Sequence, residues 1–337
     1  MKPILSVQNL CTRFDTFDGS VFAVNDVSFD LMPGETLAVV GESGSGKSVT
    51  MLSILGLLPR SSSKVSGHAY YSAGAGAAEV DLISLSSDEL NRYRGNHISI
   101  IFQDALRSLN PVLTVGEQIT ESLATHKGYD KKKAYKRAIE LLELVGISQP
   151  DKRFNNYPHM FSGGMRQRAM IAIAISCTPD ILIADEPTTA LDVTIQTQII
   201  ELTRHLQHEL GMAVIWITHD LGVVAGLAER VLVMYGGTGV ETAPVDQLYE
   251  KPLHPYTQGL LGAIPSIAGS GTHRLVSIEG SPPDMFQKPK HCQYTWRCPH
   301  VFERCWNEIP PAFEVAEKHF SKCFYDLIKK EPRAEDR

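Results

Sequence analysis

The feature that most constrains the fold is a glycine-rich segment at residues 41–48, which reads Gly-Glu-Ser-Gly-Ser-Gly-Lys-Ser. It follows the apolar run Thr36–Val40, which has the pattern of a buried strand, and it precedes a helical pattern over residues 49–58. A strand, a glycine-rich loop and a helix in this order form a phosphate-binding loop, because backbone N–H groups and the helix N-terminus point at the anion. The sequence therefore predicts an α/β nucleotide-binding domain.

A second glycine-rich turn, Ser162-Gly163-Gly164, opens another predicted helix, and an apolar run at residues 181–184 ends in Asp185-Glu186. The turn is a second anion site in the same chain. One nucleotide does not need two such loops, so we expect this loop to cap the γ-phosphate of a nucleotide held by a partner. The three segments together indicate ATP hydrolysis at a site that two chains share.

The phosphate loop supplies the expected nucleotide contacts. Lys47 is expected to reach the β- and γ-phosphates, and Ser48 is expected to bind Mg²⁺. Asp185 ends a strand, where a carboxylate can hold Mg²⁺ directly or through water. Glu186 beside it can polarise the attacking water. The predicted ATP-binding set within the loop and its helix is Gly41, Ser43, Gly44, Ser45, Gly46, Lys47, Ser48 and Val49.

Two further polar residues each follow a predicted strand. His219 comes after the run at residues 213–217, and it could contact the γ-phosphate and orient the water. Gln103 comes after residues 98–102, and its side chain could reach Mg²⁺ or water. Strands that alternate with helices predict a mainly parallel sheet with ligands at the carboxyl ends of its strands. Gln103, Glu186 and His219 are therefore the predicted catalytic residues.

Composition and charge restrict the partners. The formal net charge is −6, which argues against a broad nucleic-acid footprint. We expect no membrane span, because no stretch approaches roughly 18 uninterrupted apolar residues. The first residues lack an apolar signal region with a cleavage site, so we expect a cytoplasmic protein with reduced cysteines.

Other segments set the organisation. Residues 4–40 have the pattern of alternating strands and turns, and residues 115–145 that of a helical region. The Ala- and Gly-rich residues 73–78 are interpreted as a hairpin loop or a flexible insertion. From about residue 266, Gly, Pro, His and Cys accumulate and the periodicity disappears, so we expect a small C-terminal appendage there.

This ordered set resembles the ATP-binding cassette (ABC) subunits of transporters. Residues 41–48 are similar to Walker A, 181–186 to Walker B, Gln103 to the Q-loop and Ser162-Gly163-Gly164-Met165 to the signature loop. Ala190-Leu191-Asp192 is similar to the D-loop, and His219 to the switch histidine. The resemblance adds Asp192 to the ATP-binding set. It also adds Phe14 as the aromatic that stacks on adenine, a role for which Phe17 and Phe22 compete.

The resemblance implies a fold and a division of the chain. The expected fold is α/β: a P-loop NTPase with a RecA-like core, an antiparallel β subdomain, a helical subdomain and a small Cys-rich C-terminal appendage. The expected nucleotide-binding domain is residues 1–265, with the helical subdomain at about 104–178. The expected C-terminal extension is residues 266–337.

The branch of the family is indicated by further segments. Three parts of the chain resemble the D-type ATPase subunits of oligopeptide and dipeptide importers. They are Phe102-Gln103-Asp104 with Ser108-Leu109-Asn110-Pro111, residues 184–194, and His254-Pro255-Tyr256-Thr257. The resemblance implies an ATPase that drives peptide import and pairs with a second, different ATPase subunit beneath two membrane permease subunits. An extracytoplasmic binding protein would deliver the peptide. The chain would lie peripherally at the cytoplasmic face of the inner membrane, with no nucleic-acid partner.

Four cysteines near the C-terminus, Cys292, Cys298, Cys305 and Cys323, have the spacing C-x5-C-x6-C-x17-C. These gaps fit zinc poorly, since zinc sites prefer closer pairs, whereas four thiolates can also hold an iron–sulfur cluster. The resemblance to the peptide importers implies a [4Fe–4S] cluster at these positions. Besides ATP and Mg²⁺, the expected cofactor is therefore that cluster, with zinc or four reduced structural cysteines as the alternatives.

Other functions stay open at this point. An importer subunit for nickel or glutathione-like substrates would share every motif described so far. A soluble cassette ATPase acting on ribosomes or DNA usually has two cassettes or a long coiled-coil insertion, and this sequence has neither. A regulatory iron–sulfur sensor that uses ATP only as a switch could lose Glu186 and His219, which are both present.

Overall fold

The computed structural model describes residues 2–74, 78–189, 191–264 and 278–333. The strands are β1 (Leu5–Thr16), β2 (Gly19–Leu31), β3 (Thr36–Val40), β4 (Ser63–Tyr71), β5 (Val80–Asp81), β6 (Ile98–Ile101), β7 (Ile181–Asp185), β8 (Ala213–Thr218), β9 (Arg230–Tyr235), β10 (Thr238–Pro244), β11 (Phe313–Ala316), β12 (His319–Ser321), β13 (Tyr325–Asp326) and β14 (Glu331–Pro332). The helices are α1 (Lys47–Ile54), α2 (Ser87–Leu90), α3 (Ala105–Ser108), α4 (Val115–Lys127), α5 (Lys131–Leu144), α6 (Pro150–Phe154), α7 (Gly163–Ala174), α8 (Val193–Leu210), α9 (Leu221–Val224), α10 (Val245–Glu250), α11 (Pro255–Gly262) and α12 (Glu303–Asn307).

The central layer is an eight-stranded sheet with the order β11-β12-β10-β9-β3-β8-β7-β6. Strands β9, β3, β8, β7 and β6 are parallel, and β10, β12 and β11 continue the sheet in antiparallel pairing. Along β3, Leu37 and Val39 enter one apolar cluster, whereas Ala38 and Val40 enter another. Both faces of this strand are therefore covered, which explains why its sequence is continuously apolar.

A second, antiparallel sheet has the order β2-β1-β4-β5. Its apolar side chains share a cluster with α1 and with one face of the central sheet. The predicted loop at residues 73–78 follows β4, and residues 75–77 of it lie outside the described residues.

In the helical region between β6 and β7, helices α4, α5 and α7 pack in an apolar cluster that also contains side chains of β7, β8 and α8. The sequence pattern at residues 115–145 is divided into two helices, because Gly128 ends α4 at a φ of 62° and Asp130 begins α5. The Asp130 side chain accepts a hydrogen bond from the Lys133 N–H, which is a standard N-cap arrangement. Among the described residues, no helix is long and apolar enough to cross a membrane.

The C-terminal region joins the central sheet. β12 pairs with β10, where Glu241 lies opposite Ser321 and Thr242 opposite Phe320. The buried His319 also contacts Glu241, with its Nε2 atom 2.7 Å from Oε1. The predicted division at residue 265/266 falls outside the described residues and stays a prediction, as do the proposed limits of the helical subdomain.

Candidate functional site

The phosphate loop joins the end of β3 to α1, and its backbone shape requires glycine. Gly41, Gly44 and Gly46 have φ values of 152°, 78° and 96°, which side-chain-bearing residues rarely adopt. A Cβ atom on Gly41 would lie 2.2 Å from the Met234 carbonyl oxygen, and one on Gly46 would lie 2.5 Å from the Ala23 carbonyl oxygen. The backbone at Met234 and Ala23 therefore lies so close to the loop that only glycine fits at Gly41 and Gly46.

Lys47 lies under this loop with its side chain almost fully buried. Its Nζ atom donates to the carbonyl oxygens of Gly41, at 2.8 Å, and Glu42, at 3.0 Å. Burial lowers the pKa of Lys47, while the nearby carboxylates, Glu186 first among them, oppose that shift. The loop also holds the Ser45 hydroxyl, a buried oxygen that has no hydrogen-bond partner among the described residues. The Lys47 ammonium and the Ser45 hydroxyl can each turn toward a bound phosphate.

Ser48 and Asp185 bring two hard oxygen atoms together at the end of β7. The Ser48 hydroxyl donates to Asp185 Oδ1 at 2.9 Å. Burial raises the pKa of Asp185, and the hydrogen bond from Ser48 opposes that rise. Mg²⁺ in nucleotide sites is usually held by one or two carboxylates, waters and the substrate's own phosphates. This oxygen pair fits such a metal, and a cage of protein carboxylates is not required.

Glu186 lies at the centre of a polar cluster. Its Oε2 atom accepts hydrogen bonds from Gln103 Nε2, at 2.9 Å, and Thr189 Oγ1, at 3.0 Å. His219 Nδ1 lies 3.3 Å from the same oxygen. The backbone of Glu186 has a φ of 46° and its N–H donates to the Ile217 carbonyl of β8. The unusual turn directly after β7 therefore aims this carboxylate away from the strand and toward its polar neighbours.

One open cavity of about 690 Å³ joins these groups. Its lining is Ala23, the phosphate loop from Gly41 to Ser48, Val49, Gln103, Glu186, Thr189, His219 and Leu260. The structure thus brings together the predicted phosphate-loop residues and the three predicted catalytic residues, with Asp185 in contact through Ser48. A cavity that combines an anion cradle, a magnesium-type oxygen pair and a carboxylate with a histidine can bind a nucleoside triphosphate and direct a water onto it.

Several predicted ATP-binding residues do not line this cavity. Ser162 begins α7, where its hydroxyl accepts from the Met165 N–H at 3.3 Å, and Ser162 and Gly163 are exposed. Asp192 begins α8 and accepts from the Ile195 N–H at 2.9 Å. Gly164 also lies on this exposed side, near Ile195. These helix starts present their groups to the surface of the chain and not to its own nucleotide cavity.

The aromatic residues proposed for adenine stacking also lie off the cavity. Phe14 is half-buried on β1, Phe17 is fully exposed, and Phe22 packs beside Arg13. Ala23, next to Phe22, is the cavity residue in this part of the chain. The adenine contact of Phe14 therefore stays a prediction. In the predicted D-loop, Ala190 lies outside the described residues.

Three residues at the edge of the site, Thr189, Tyr256 and Arg297, were not predicted from the sequence. Thr189 follows Glu186 closely and carries a hydroxyl, which is a signal that could have placed it in the cluster. Tyr256 of α11 accepts from the Glu42 N–H at 2.8 Å, and Arg297 forms an ion pair with the Glu42 carboxylate. Arg297 has no local sequence signal. Tyr256 belongs to the segment His254-Pro255-Tyr256-Thr257, but its distance from the phosphate loop along the chain gave no reason to place it at the site.

The prediction of a [4Fe–4S] cluster at Cys292, Cys298, Cys305 and Cys323 is wrong. Across residues 2–74, 78–189, 191–264 and 278–333, no three His, Cys, Asp or Glu side chains are grouped so that they could hold a metal ion. The same finding removes the zinc alternative. Burial raises the pKa of Cys292 and Cys323 to about 12 and that of Cys298 to about 11.

Packing accounts for these cysteines instead. Cys305 and Cys323 are buried, and Cys292 and Cys298 pack against the apolar cluster that contains Tyr235, Tyr256 and Tyr294. The Cys292 N–H also bonds to the Cys305 carbonyl. A reduced cysteine is a small apolar residue in such surroundings.

Comparison with known proteins gives two matches to family models. Residues 24–189 match the family described as ABC transporter, and residues 240–305 match the C-terminal region of oligopeptide/dipeptide transporters. The second match begins inside β10 of the central sheet and ends within α12.

Curated relatives match over nearly the whole chain. The oligopeptide transport ATP-binding protein OppD of Bacillus subtilis is 48% identical over 98% of this chain and 91% of its own length. The dipeptide transport ATP-binding protein DppD of the same organism is 50% identical over 96% of this chain and 95% of its own length. Among solved structures, the dimeric ATP-binding cassette MJ0796 in a post-hydrolysis state with ADP and Pi has a TM-score of 0.62 and 28% identity, covering 72% of this chain and 98% of that one.

Proposed function

The chain belongs to the ABC transporter family, in the oligopeptide and dipeptide branch, and from that membership we propose that it is the ATP-hydrolysing, energy-coupling subunit of a peptide importer. The observation that carries the proposal is the single cavity in which the phosphate loop faces Glu186, Gln103 and His219. Relatives named for oligopeptide and dipeptide transport, similar over nearly the full chain, support peptides as the transported substrate.

The residues of the site have different roles in ATP hydrolysis. The phosphate loop would bind the β- and γ-phosphates through its N–H groups and Lys47. Ser48 and Asp185 would hold Mg²⁺, whose charge would offset that of the phosphates. Glu186 takes the position of the general base that orients and polarises the attacking water. Gln103 and His219 hold the Glu186 carboxylate and contact the region where the γ-phosphate and water would lie.

The second half of each site comes from a partner cassette. Ser162, Gly163 and Gly164 lie exposed at the start of α7 and do not line the cavity of their own chain. A helix N-terminus with a free glycine backbone binds an anion well, so these residues would cap the γ-phosphate held by the other subunit. Asp192 would contact the same interface. The similar cassette MJ0796 is dimeric, which supports this arrangement.

The expected assembly has this chain paired with a second ATPase subunit beneath two membrane permease subunits. An extracytoplasmic binding protein would pass the peptide to the permease. The chain itself would be peripheral at the cytoplasmic face of the membrane. Residues 266–337 would form the Cys-rich extension of this branch, with its packed cysteines as structural residues. Closure of the two cassettes on ATP would switch the permease, and hydrolysis would reset it.

The test is ATP turnover by the reconstituted assembly. The chain, its partner ATPase and the two permeases are placed in lipid vesicles, and phosphate release is measured with the binding protein loaded with peptide, nickel or glutathione. A rise in turnover with peptide alone supports the proposal. Stimulation by nickel or glutathione would move the chain to another importer class. Turnover that is independent of permease and binding protein would identify a non-transport ATPase.

A further inference from the structure

Glu42, the second residue of the phosphate loop, is held at each of its polar groups. Its N–H donates to the Tyr256 hydroxyl at 2.8 Å, and its carbonyl oxygen accepts from Lys47 Nζ at 3.0 Å. Its carboxylate is bound by Arg297, a residue far toward the C-terminus. Because Glu42 also lines the nucleotide cavity, these contacts join the C-terminal region to the site.

Arg297 binds the Glu42 carboxylate with both arms of its guanidinium. Nη1 lies 2.7 Å from Oε2 and Nη2 lies 3.0 Å from Oε1. The side chain of Arg297 is only 4% exposed and that of Glu42 is 27% exposed. A two-armed arginine–carboxylate pair has a defined geometry, and removing one partner of a buried pair leaves the other charge uncompensated.

The guanidinium is itself fixed by the fold. Its Nε atom donates to the Glu279 carbonyl at 2.9 Å, Nη2 to the Ile278 carbonyl at 3.2 Å and Nη1 to the Tyr235 hydroxyl at 3.3 Å. It also lies 5.7 Å from the centre of the Tyr235 ring. The hydrogen bond with Glu42 raises the pKa of Arg297, against the effect of burial. The positive charge is therefore permanent, and its position is determined by residues of the C-terminal region and β9.

The charge of Glu42 matters for an anionic ligand. Glu42 lines the same cavity as Lys47, and its carboxylate acts on the charge of that lysine. Without a partner, a carboxylate at this position would repel incoming phosphates and compete with them for the Lys47 ammonium. Arg297 neutralises this carboxylate by binding both of its oxygens. Lys47 Nζ bonds to the backbone carbonyls of Gly41 and Glu42.

We propose that Arg297 is a positioning residue of the nucleotide site, which acts through Glu42 to hold the phosphate loop in its binding shape and to cancel the carboxylate's charge toward bound ATP. The inference rests on the proposed ATPase function and extends it. The segment that contains Arg297 then supports ATP binding through Glu42, although this segment lies outside the motifs of the cassette.

The experiment measures binding of a fluorescent ATP analogue with Mg²⁺ to the purified full-length chain. Arg297→Gln leaves Glu42 as an unpaired carboxylate and is expected to raise the Kd by about tenfold or more. Glu42→Gln with Arg297→Gln removes both charges and is expected to recover most of that loss. The defect of Arg297→Gln alone is expected to shrink at high salt, since screening weakens the repulsion. Arg297→Lys keeps the positive charge but loses the two-armed geometry of the guanidinium, so its Kd is expected to lie between those of wild type and Arg297→Gln.

Arg304→Gln is the matched control. Arg304 lies in the same C-terminal region and pairs with Glu308 at 2.9 Å, but it does not line the nucleotide cavity. Its replacement is expected to leave the Kd near the wild-type value. If Arg297→Gln binds as tightly as Arg304→Gln, or if the double variant binds no better than Arg297→Gln, the inference is overturned. The second outcome would mean that Arg297 only holds the fold together.

Two further results separate this inference from the function on which it rests. Lys47→Ala should lose most nucleotide binding. If wild type binds no better than Lys47→Ala, the proposed ATPase function fails. If Lys47→Ala is defective while Arg297→Gln is not, only the role of Arg297 fails. Should Arg297→Gln not fold, Arg297→Lys tests the positioning role, because it keeps the charge but not the two-armed geometry; a Kd equal to that of wild type would then overturn the inference.

Discussion

Replacing Glu186 by Gln tests the proposed chemistry with the least structural change. The amide oxygen of Gln can take the place of Oε2, which accepts hydrogen bonds from Gln103 and Thr189. The cluster therefore keeps its shape, while the side chain loses its charge and its capacity to accept a proton from water. Among residues that line the cavity, the phosphate loop and Lys47 are unchanged, so the variant should still bind ATP.

The expected size follows from the role of the carboxylate. A positioned general base contributes about 10²–10⁴-fold to a rate. The corresponding rise in the activation barrier is roughly 3–5 kcal/mol. We expect the kcat of Glu186→Gln to fall by this factor and its Kd for ATP to stay within about threefold of wild type. Because ATP then stays bound, the variant should also accumulate as a closed pair of cassettes.

The assay combines phosphate release with binding of a fluorescent ATP analogue and with light scattering for the paired state. Glu117→Gln is the control, since it makes the same exchange at an exposed capping box on α4, where Gln can replace Glu. An unchanged kcat in Glu186→Gln would refute the role of Glu186. A Kd that rises in parallel with the loss of kcat would instead make Glu186 a residue of ATP binding.

Three further changes test other parts of the account. Lys47→Ala removes a charged donor to the phosphates and should weaken ATP binding by about 2 kcal/mol, roughly thirtyfold, as titration with the fluorescent analogue would measure. Ser162→Ala, in a mixed pair in which this chain also carries Lys47→Ala, should slow the turnover that remains at the partner-held nucleotide; equal turnover with and without Ser162→Ala would exclude a shared site. His254 is wholly buried, its Nδ1 accepts from the Tyr256 N–H, and burial lowers its pKa from 6.5 to about 3. The unfolded chain therefore binds the proton first as pH falls, so this stability is complete above about pH 6.5 and is lost below it, by about 2 kcal/mol at pH 5. Urea unfolding at pH 7.5 and pH 5 should show this loss in wild type but not in His254→Asn, which keeps an acceptor for the cap.

The phosphate loop and the strands around it were predictable because their physical requirements are local. The turn needs glycine at Gly41, Gly44 and Gly46, where φ is positive. The strands Thr36–Val40 and Ile181–Asp185 are buried at every position and mainly apolar because both of their faces are covered. The cassette fold predicted from these segments is confirmed by the similarity to solved cassettes.

Local signals were also present where the prediction was incomplete. Gly128 and Asp130 are the residue types that end one helix and begin the next, and they could have divided the predicted helical region. The cysteine prediction was wrong for a different reason. The spacing of Cys292, Cys298, Cys305 and Cys323 along the chain does not determine the distances between their thiols in the folded protein, which are set by tertiary packing.

The contact between Glu42 and Arg297 and the exposure of Ser162 could not be predicted from the sequence alone. Glu42 and Arg297 come together only because the C-terminal region folds back against the phosphate loop. Glu42 occupies a variable position of the phosphate-loop motif, and Arg297 lies outside the motifs. The exposure of Ser162 likewise depends on how α7 packs against its neighbours. Such contacts are set by tertiary structure over long sequence separations.

The central claim is that ATP hydrolysis at this site drives peptide across a membrane. The most direct measurement is uptake of a labelled peptide into sealed vesicles that contain the full assembly, with ATP present on the side of the cassettes. The account predicts peptide accumulation with the wild-type chain and ATP, and a loss of accumulation with Glu186→Gln or without ATP. Accumulation that continues at the wild-type rate in either of those two conditions would contradict the account.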